Sequence, residues 1–124
     1  MASGTIQKNM VLLWENASPT SNFAAQTVQF DYSEYGFLLV IVRNRTDQPP
    51  CTSVICRTTD GGVSFSKNTI LTSSGALIYF QFRTGSIVSD GIQFYDAIEA
   101  NTGNTRGSVS NAVLIPVAIY GIRE

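Results

Sequence analysis

Carboxylates are the only side chains in this sequence equipped for hydrolytic chemistry. The chain holds no histidine, so Ser-His-Asp and Cys-His catalysis are out and the commonest metal ligand is missing. Two cysteines without histidine cannot close a structural zinc site with the usual thiolate and imidazole donors. The glycine patterns that cradle phosphates or dinucleotides do not occur. Nine acidic residues remain, and two pairs stand close in sequence, Asp31 with Glu34 and Asp96 with Glu99. Glycosidases use such a pair, one carboxyl as acid and the other as base or nucleophile. The plainer reading leaves Asp31 facing solvent on a strand and Glu34 in a turn. Asp96, Glu99 and Asn101 could offer oxygens to calcium, at a spacing that matches no recognised loop. On the residues alone, no catalytic residue, metal site or cofactor is assigned.

A binding surface is the stronger reading. Tyr32 and Tyr35 flank a turn, and Arg45 and Asp47 sit in the next polar stretch. Aromatic faces beside charged and amide groups suit sugar rings, which stack on their C–H faces and hydrogen-bond at their edges. Tyr32, Tyr35, Arg45 and Asp47 are therefore the candidate ligand-binding residues. The competing expectation is that both tyrosines cap the core with their hydroxyls in water. Cys51 and Cys56 are expected to be free. On an extended strand they would stand roughly 17 Å apart, a disulfide needs Cα atoms within about 7 Å, and Cys56 reads as a small packed hydrophobe.

The elements that must position these residues read as strands. At 124 residues the chain is one domain's worth, with residues 1–5 a short leader. Residues 6–14 alternate and become apolar on both faces. Asn16 to Asn22 are loop formers, followed by Phe23, an aromatic that should be pinned back onto the domain because a wet ring forfeits roughly 1.5–3 kcal/mol. Thr27 to Tyr32 is a half-buried strand, and Phe37 to Val42 a central strand covered on both faces. Asn44 to Pro50 reads as an exposed loop stiffened by two prolines. Thr52 to Arg57 is a strand, and Asp60-Gly61-Gly62 a hairpin signal. Residues 76–83 give the cleanest alternation, and Thr84 to Gly91 holds a turn. Residues 93–100 read as strand rather than a marginal short helix. Asn101 to Asn111 is the longest polar stretch. Val113 to Ile122 is apolar on both faces, and Pro116 places it at an edge or at a bulge. The pattern is all-β: an antiparallel, jelly-roll-like β-sandwich.

Composition says what such a domain meets. Only 14% of residues are charged, against a usual share of about 25%. A surface so poor in charge is either wetted by Ser, Thr and Asn or hidden against copies of the same chain, and an oligomer is expected. Apolar residues on both faces of the first, third and last strands point the same way. The net charge of −1 and eight scattered basic residues make no case for nucleic acid. The longest apolar run, Phe37 to Val42, is far below the ~20 residues that cross a bilayer as a helix, and no secretory signal is visible. No membrane insertion is expected.

A family resemblance rests on Trp14, Asn16, Ser18-Pro19-Thr20-Ser21, Phe23-Ala24 and Gln26, followed by an alternating strand and the Tyr35-Gly36 turn. Arg83-Thr84, Gly91-Ile92, Asn111, Ile115-Pro116 and Ile119-Tyr120-Gly121-Ile122 continue it. From about Met10 to Ile122 the chain resembles the C-terminal module of tail-fibre or minor structural proteins from phages and prophages of gut bacteria. The resemblance implies a non-enzymatic virion protein, made in the bacterial cytoplasm and carried at a tail or surface appendage. It implies a homotrimer, with other virion proteins and a bacterial cell-surface glycan as further partners. Loops 15–25, 44–50 and 101–111 are the expected contact regions. The alternatives are a purely structural subunit (fibre-associated, baseplate or head decoration) and, remotely, a polysaccharide hydrolase.

Overall fold

The computed structural model of the chain describes residues 9–71 and 77–123. Among the described residues the elements are ten strands: β1 (Met10–Glu15), β2 (Gln26–Gln29), β3 (Phe37–Arg45), β4 (Gln48–Arg57), β5 (Gly62–Leu71), β6 (Leu77–Val88), β7 (Gly91–Phe94), β8 (Ile98–Asn101), β9 (Asn104–Val109) and β10 (Val113–Ile122). They form two antiparallel sheets. The first has the order β1-β10-β3-β4. The second runs β2-β7-β6-β8-β9, with β5 along the other edge of β6. The leader expected at residues 1–5, the start of the first predicted strand and Ala76, the first residue of the strand expected over 76–83, lie outside the described residues.

Alternation of side chains decides what lies between the sheets. From the first sheet Leu38, Val40, Val42, Cys56, Val113, Ile115 and Ile119 are buried. Val28, Val63, Phe65, Ile92 and Phe94 answer from the second. Phe23 enters this core from the loop after β1, 5% exposed, its ring edge-on to Trp14 and to Phe94. The expected pinning of that loop is what the structure has. Both cysteines are free, Cys51 exposed and Cys56 buried.

Several expectations give way. Pro49 and Pro50 do not stiffen a loop. They lie in β4, and the chain reverses at Thr46–Asp47. An edge strand tolerates this because one side of its backbone has no ladder to supply, and among the described residues β4 pairs only with β3. Asp60-Gly61-Gly62 does turn the chain, with Gly61 at φ 81°. It joins β4 to β5, which belong to different sheets, so it makes a crossover and no hairpin. Thr84 to Val88 continue β6, and Gly85 is what allows it: a Cβ there would stand 3.0 Å from Ile92 Cγ2 and 3.2 Å from Phe94 Cδ1. Residues 93–100 are split between β7 and β8. Residues 101–111 hold β9, paired to β8, in place of a long loop. β10 is interior, between β1 and β3, and the bulge expected from Pro116 falls between Pro116 and Ala118. Finally, β3 is central, yet only its inward side is buried; Phe37, Leu39 and Ile41 remain half-exposed on the other.

Candidate functional site

The four candidate binding residues do not meet. Tyr32 and Tyr35 precede β3, and Arg45 ends it, about 26 Å away at 3.3 Å per residue. At the first end both rings serve the fold. The Tyr32 hydroxyl donates to the Val88 carbonyl at 2.7 Å, so it is not free in water as expected. The Tyr35 ring lies flat on Gly121, where a Cβ would come within 2.6 Å of it. The Arg123 guanidinium sits over that ring, 5.3 Å from its centre. At the far end Arg45 spans Asp47 at 3.3 Å and Glu99 at 3.8 Å.

That far end is organised by a residue the sequence reading passed over. Arg83 is fully buried. Its Nε donates to the Leu114 carbonyl and Nη1 to that of Tyr95, both at 2.8 Å. Nη2 reaches the Phe23 carbonyl at 2.9 Å, with longer bonds to the Val113 carbonyl and to Asn111 Oδ1. The guanidinium also faces the Phe23 ring, 5.3 Å from its centre. A buried charge is tolerable only when its donors are satisfied, and here main-chain carbonyls do it. Burial lowers the Arg83 pKa to about 10, while the nearby Asp96 carboxylate pulls it up; the side chain is a cation at neutral pH. Leu114 takes φ 51°, a conformation that costs a non-glycine residue about 1–3 kcal/mol, and its carbonyl meets Arg83 there.

Asn111 and Asp96 extend the network. Asn111 Oδ1 accepts from the Ala97 amide and its Nδ2 donates to Asp96 Oδ1, each at 2.9 Å. Asp96 Oδ1 also accepts from the Ala25 amide at 2.9 Å. The Ala25 amide, then the Asn111 side chain, hold the Asp96 carboxyl below its ordinary value. Ser33, through its backbone amide first, does the same for Asp31. A glycosidase acid needs a raised pKa to keep its proton, so both shifts run against that role. Among the described residues no three metal-capable side chains cluster; the Glu99 carboxylate is engaged by Gln81 Nε2 at 2.9 Å. Loop 15–25 and the 46–47 turn thus share one end with Asn111. Phe23 binds Asn111 through its amide, and Thr46 binds Ala112.

The outer face of the first sheet carries a different feature. Residues directly opposite in an antiparallel pair share a face. Met10, Ile122, Phe37 and Arg57 form one row across the sheet, and Leu12, Tyr120, Leu39 and Ile55 the next. Seven of these eight are apolar or aromatic, and all point away from the core. Leu12 and Ile55 are 44% and 61% exposed. The three strands read as apolar on both faces are neighbours here, so their outward residues merge into one patch. Strand order was the missing piece.

Comparison with known protein families, curated proteins and solved structures returns no match. Among the described residues no helix is long and apolar enough to cross a membrane.

Proposed function

We propose that the chain is a non-enzymatic module of a phage tail or fibre, a jelly-roll-like sandwich that assembles with its own copies as a homotrimer. The observation that carries the assembly is the pair of apolar rows on the outer face of the first sheet. Contiguous exposed apolar surface of this kind marks a contact site. The virion setting and a task in attachment to host-surface glycan rest on the resemblance along the sequence. The end held by Arg83 supports attachment: it presents Ser18, Thr20, Ser21, Asn22 and Asp47 to solvent on a fixed frame. Single sites of this size bind weakly, and several copies supply avidity.

A purely structural virion subunit is the second reading. It is favoured by the tyrosines, whose rings and hydroxyl are spent on the fold.

Light scattering over a range of concentrations tests the assembly. A stable mass of three chains is expected, falling to one chain in Ile55→Glu, which sets a charge in the outer row. A monomer at every concentration overturns it. Labelled trimer on host cells then tests attachment. Loss of binding after surface sugars are stripped supports a glycan receptor, and no binding to any host favours the structural subunit.

A further inference from the structure

The alternation in β6 runs opposite to hydropathy. Gln81, Arg83 and Gly85 face the core, and Phe80 and Phe82 face out, 42% and 43% exposed. Residues paired across antiparallel strands share a face, so Lys67 of β5, Gln81 of β6 and Glu99 of β8 form one inward row. The β3–β4 turn lies over it. Arg45 and Gln48, paired at the base of that turn, reach the two ends of the row. Arg45 Nη1 stands 3.8 Å from Glu99 Oε2, and Lys67 Nζ donates to Gln48 Oε1 at 3.4 Å. Tyr79 and Asn101, also paired, form the next inward row, about 7 Å further along the strands. β3 ends at Arg45 and β4 begins at Gln48, so this row lies past the end of their hairpin. Both of its residues are half-buried.

Among these groups sits an acceptor with nothing to accept. Gln81 is 4% exposed. Its Nε2 donates to Glu99 Oε2 at 2.9 Å, which fixes the amide, since the flipped group would set two oxygens together. Oε1 is thereby turned away from Glu99, and it is buried without a donor among the described residues. Protein interiors satisfy nearly all such groups. The neighbouring donors are aimed elsewhere, Lys67 at Gln48 and Arg45 at Asp47 and Glu99.

We propose that this mouth between the sheets is the glycan subsite: a neutral sugar seats its C–H face on Tyr79 and passes a hydroxyl to Gln81 Oε1. This rests on the attachment reading above and adds the residues that bind and the charge of the sugar. Balance of charge selects a neutral ligand. Arg45 and Lys67 offset Asp47 and Glu99, so neither an anion nor a cation is favoured. A hydroxyl both donates and accepts; it gives its proton to Oε1 and takes one from Lys67 or Arg45. The present contacts of those two cations with Gln48 and Glu99 are long, so exchanging them for a hydroxyl forfeits little. A pyranose with its hydroxyls is about as wide as the step from Tyr79 to Gln81. The side chains of Arg45 and Glu99, 37% and 25% exposed, leave the row open to solvent, with Gln81 as its floor. Tyr79 supplies the aromatic face expected of Tyr32 and Tyr35, and Arg45 and Asp47, two of the four candidate residues, stand at the rim. A buried acceptor also makes the site selective, because a ligand without the matching hydroxyl leaves it unpaired.

Surface plasmon resonance of the full chain on immobilised bacterial lipopolysaccharides and capsular polysaccharides tests the subsite, with urea midpoints to establish that each variant folds. On the polysaccharides that the unmodified protein holds, Gln81→Leu should weaken binding roughly tenfold. Tyr79→Ala should weaken it by a similar factor through lost stacking. Arg45→Gln, a change beside an exposed turn, should weaken it severalfold and keeps the test open if a buried variant fails to fold. Phe82→Ser, on the other side of β6, should bind as the unmodified protein does. Periodate, which cleaves the sugars' vicinal diols, should abolish binding. If Gln81→Leu, Tyr79→Ala and Arg45→Gln all bind as well as the unmodified protein, the subsite is wrong while glycan attachment stands. If the unmodified protein binds none of the polysaccharides, both fall.

Discussion

The central strands of the two sheets, β3 and β6, solve the same problem in opposite ways. β3 turns Leu38, Val40 and Val42 inward, each fully buried, and stabilises the core by apolar contact. β6 turns Gln81, Arg83 and Gly85 inward and, among the described residues, contributes no large apolar side chain to the fully buried core. Its contribution is a cation that gathers carbonyls from the segments around Phe23, Tyr95 and Leu114. Burial in β3 is non-directional and holds one sheet against the other. The guanidinium is directional and sets where particular loop carbonyls lie, which a hydrophobic side chain cannot do. The end of the molecule carrying loop 15–25 and the 46–47 turn is therefore set by hydrogen bonds, and its middle by packing.

Breaking the directional half should have the largest effect. Arg83→Met keeps volume but strands the carbonyls it served, and should cost about 3–5 kcal/mol in urea unfolding. Arg83→Lys should recover only part, since one ammonium lacks the planar fork. Hydrogen exchange sharpens the contrast. In a milder variant, Asn111→Ala, the amides of Ala25 and Ala97, held through Asp96 and Asn111, should lose protection. Val40→Ala should cost about 1.5–3 kcal/mol and leave those amides protected. Next comes acid. Because the folded pKa of Asp96 is depressed, its contribution is present above the unfolded value of 3.8 and is lost as pH falls through the lower folded value. Asp96→Asn should flatten that acid limb of the urea midpoint, and pH titration of both proteins checks it. The smallest effect belongs to the outward side of β6. Phe82→Ser should move monomer stability by no more than about 0.5 kcal/mol, since that ring contributes little to its own fold.

Much of this was legible in the residues. Phe23 among polar neighbours foretold a pinned loop, and Pro116 foretold a bulge, because ring geometry and a missing N–H act locally. The prolines at 49 and 50 misled for the complementary reason. Whether proline is tolerated depends on an edge, and an edge is a property of sheet order. Periodicity in residues 76–83 announced a strand without saying which side faces in. Hydropathy would send Phe80 and Phe82 to the core; only the carbonyls waiting at Phe23, Tyr95 and Leu114 reverse the choice, and none is visible in a one-dimensional pattern. Gln81 shows that the solution is imperfect. Its Oε1 is buried without a partner among the described residues, a group that costs about 1–3 kcal/mol. Distance broke up the candidate site. Tyr35 and Arg45 are ten residues apart, and the extended strand β3 runs between them.

The pairing of β1 with β10, Met10 opposite Ile122, has a consequence during synthesis. The first of these strands leaves the ribosome more than a hundred residues before its partner exists. At about 5–20 residues per second, its apolar faces wait for roughly 5–20 s. Arg83 waits a shorter time for the Leu114 carbonyl, 31 residues on. Neither the first sheet nor the loop end can close before the last strand has been made, so β1 and the edge of β3 that β10 will cover stay without their partner for that interval, the kind of surface that chaperones hold and that aggregates claim.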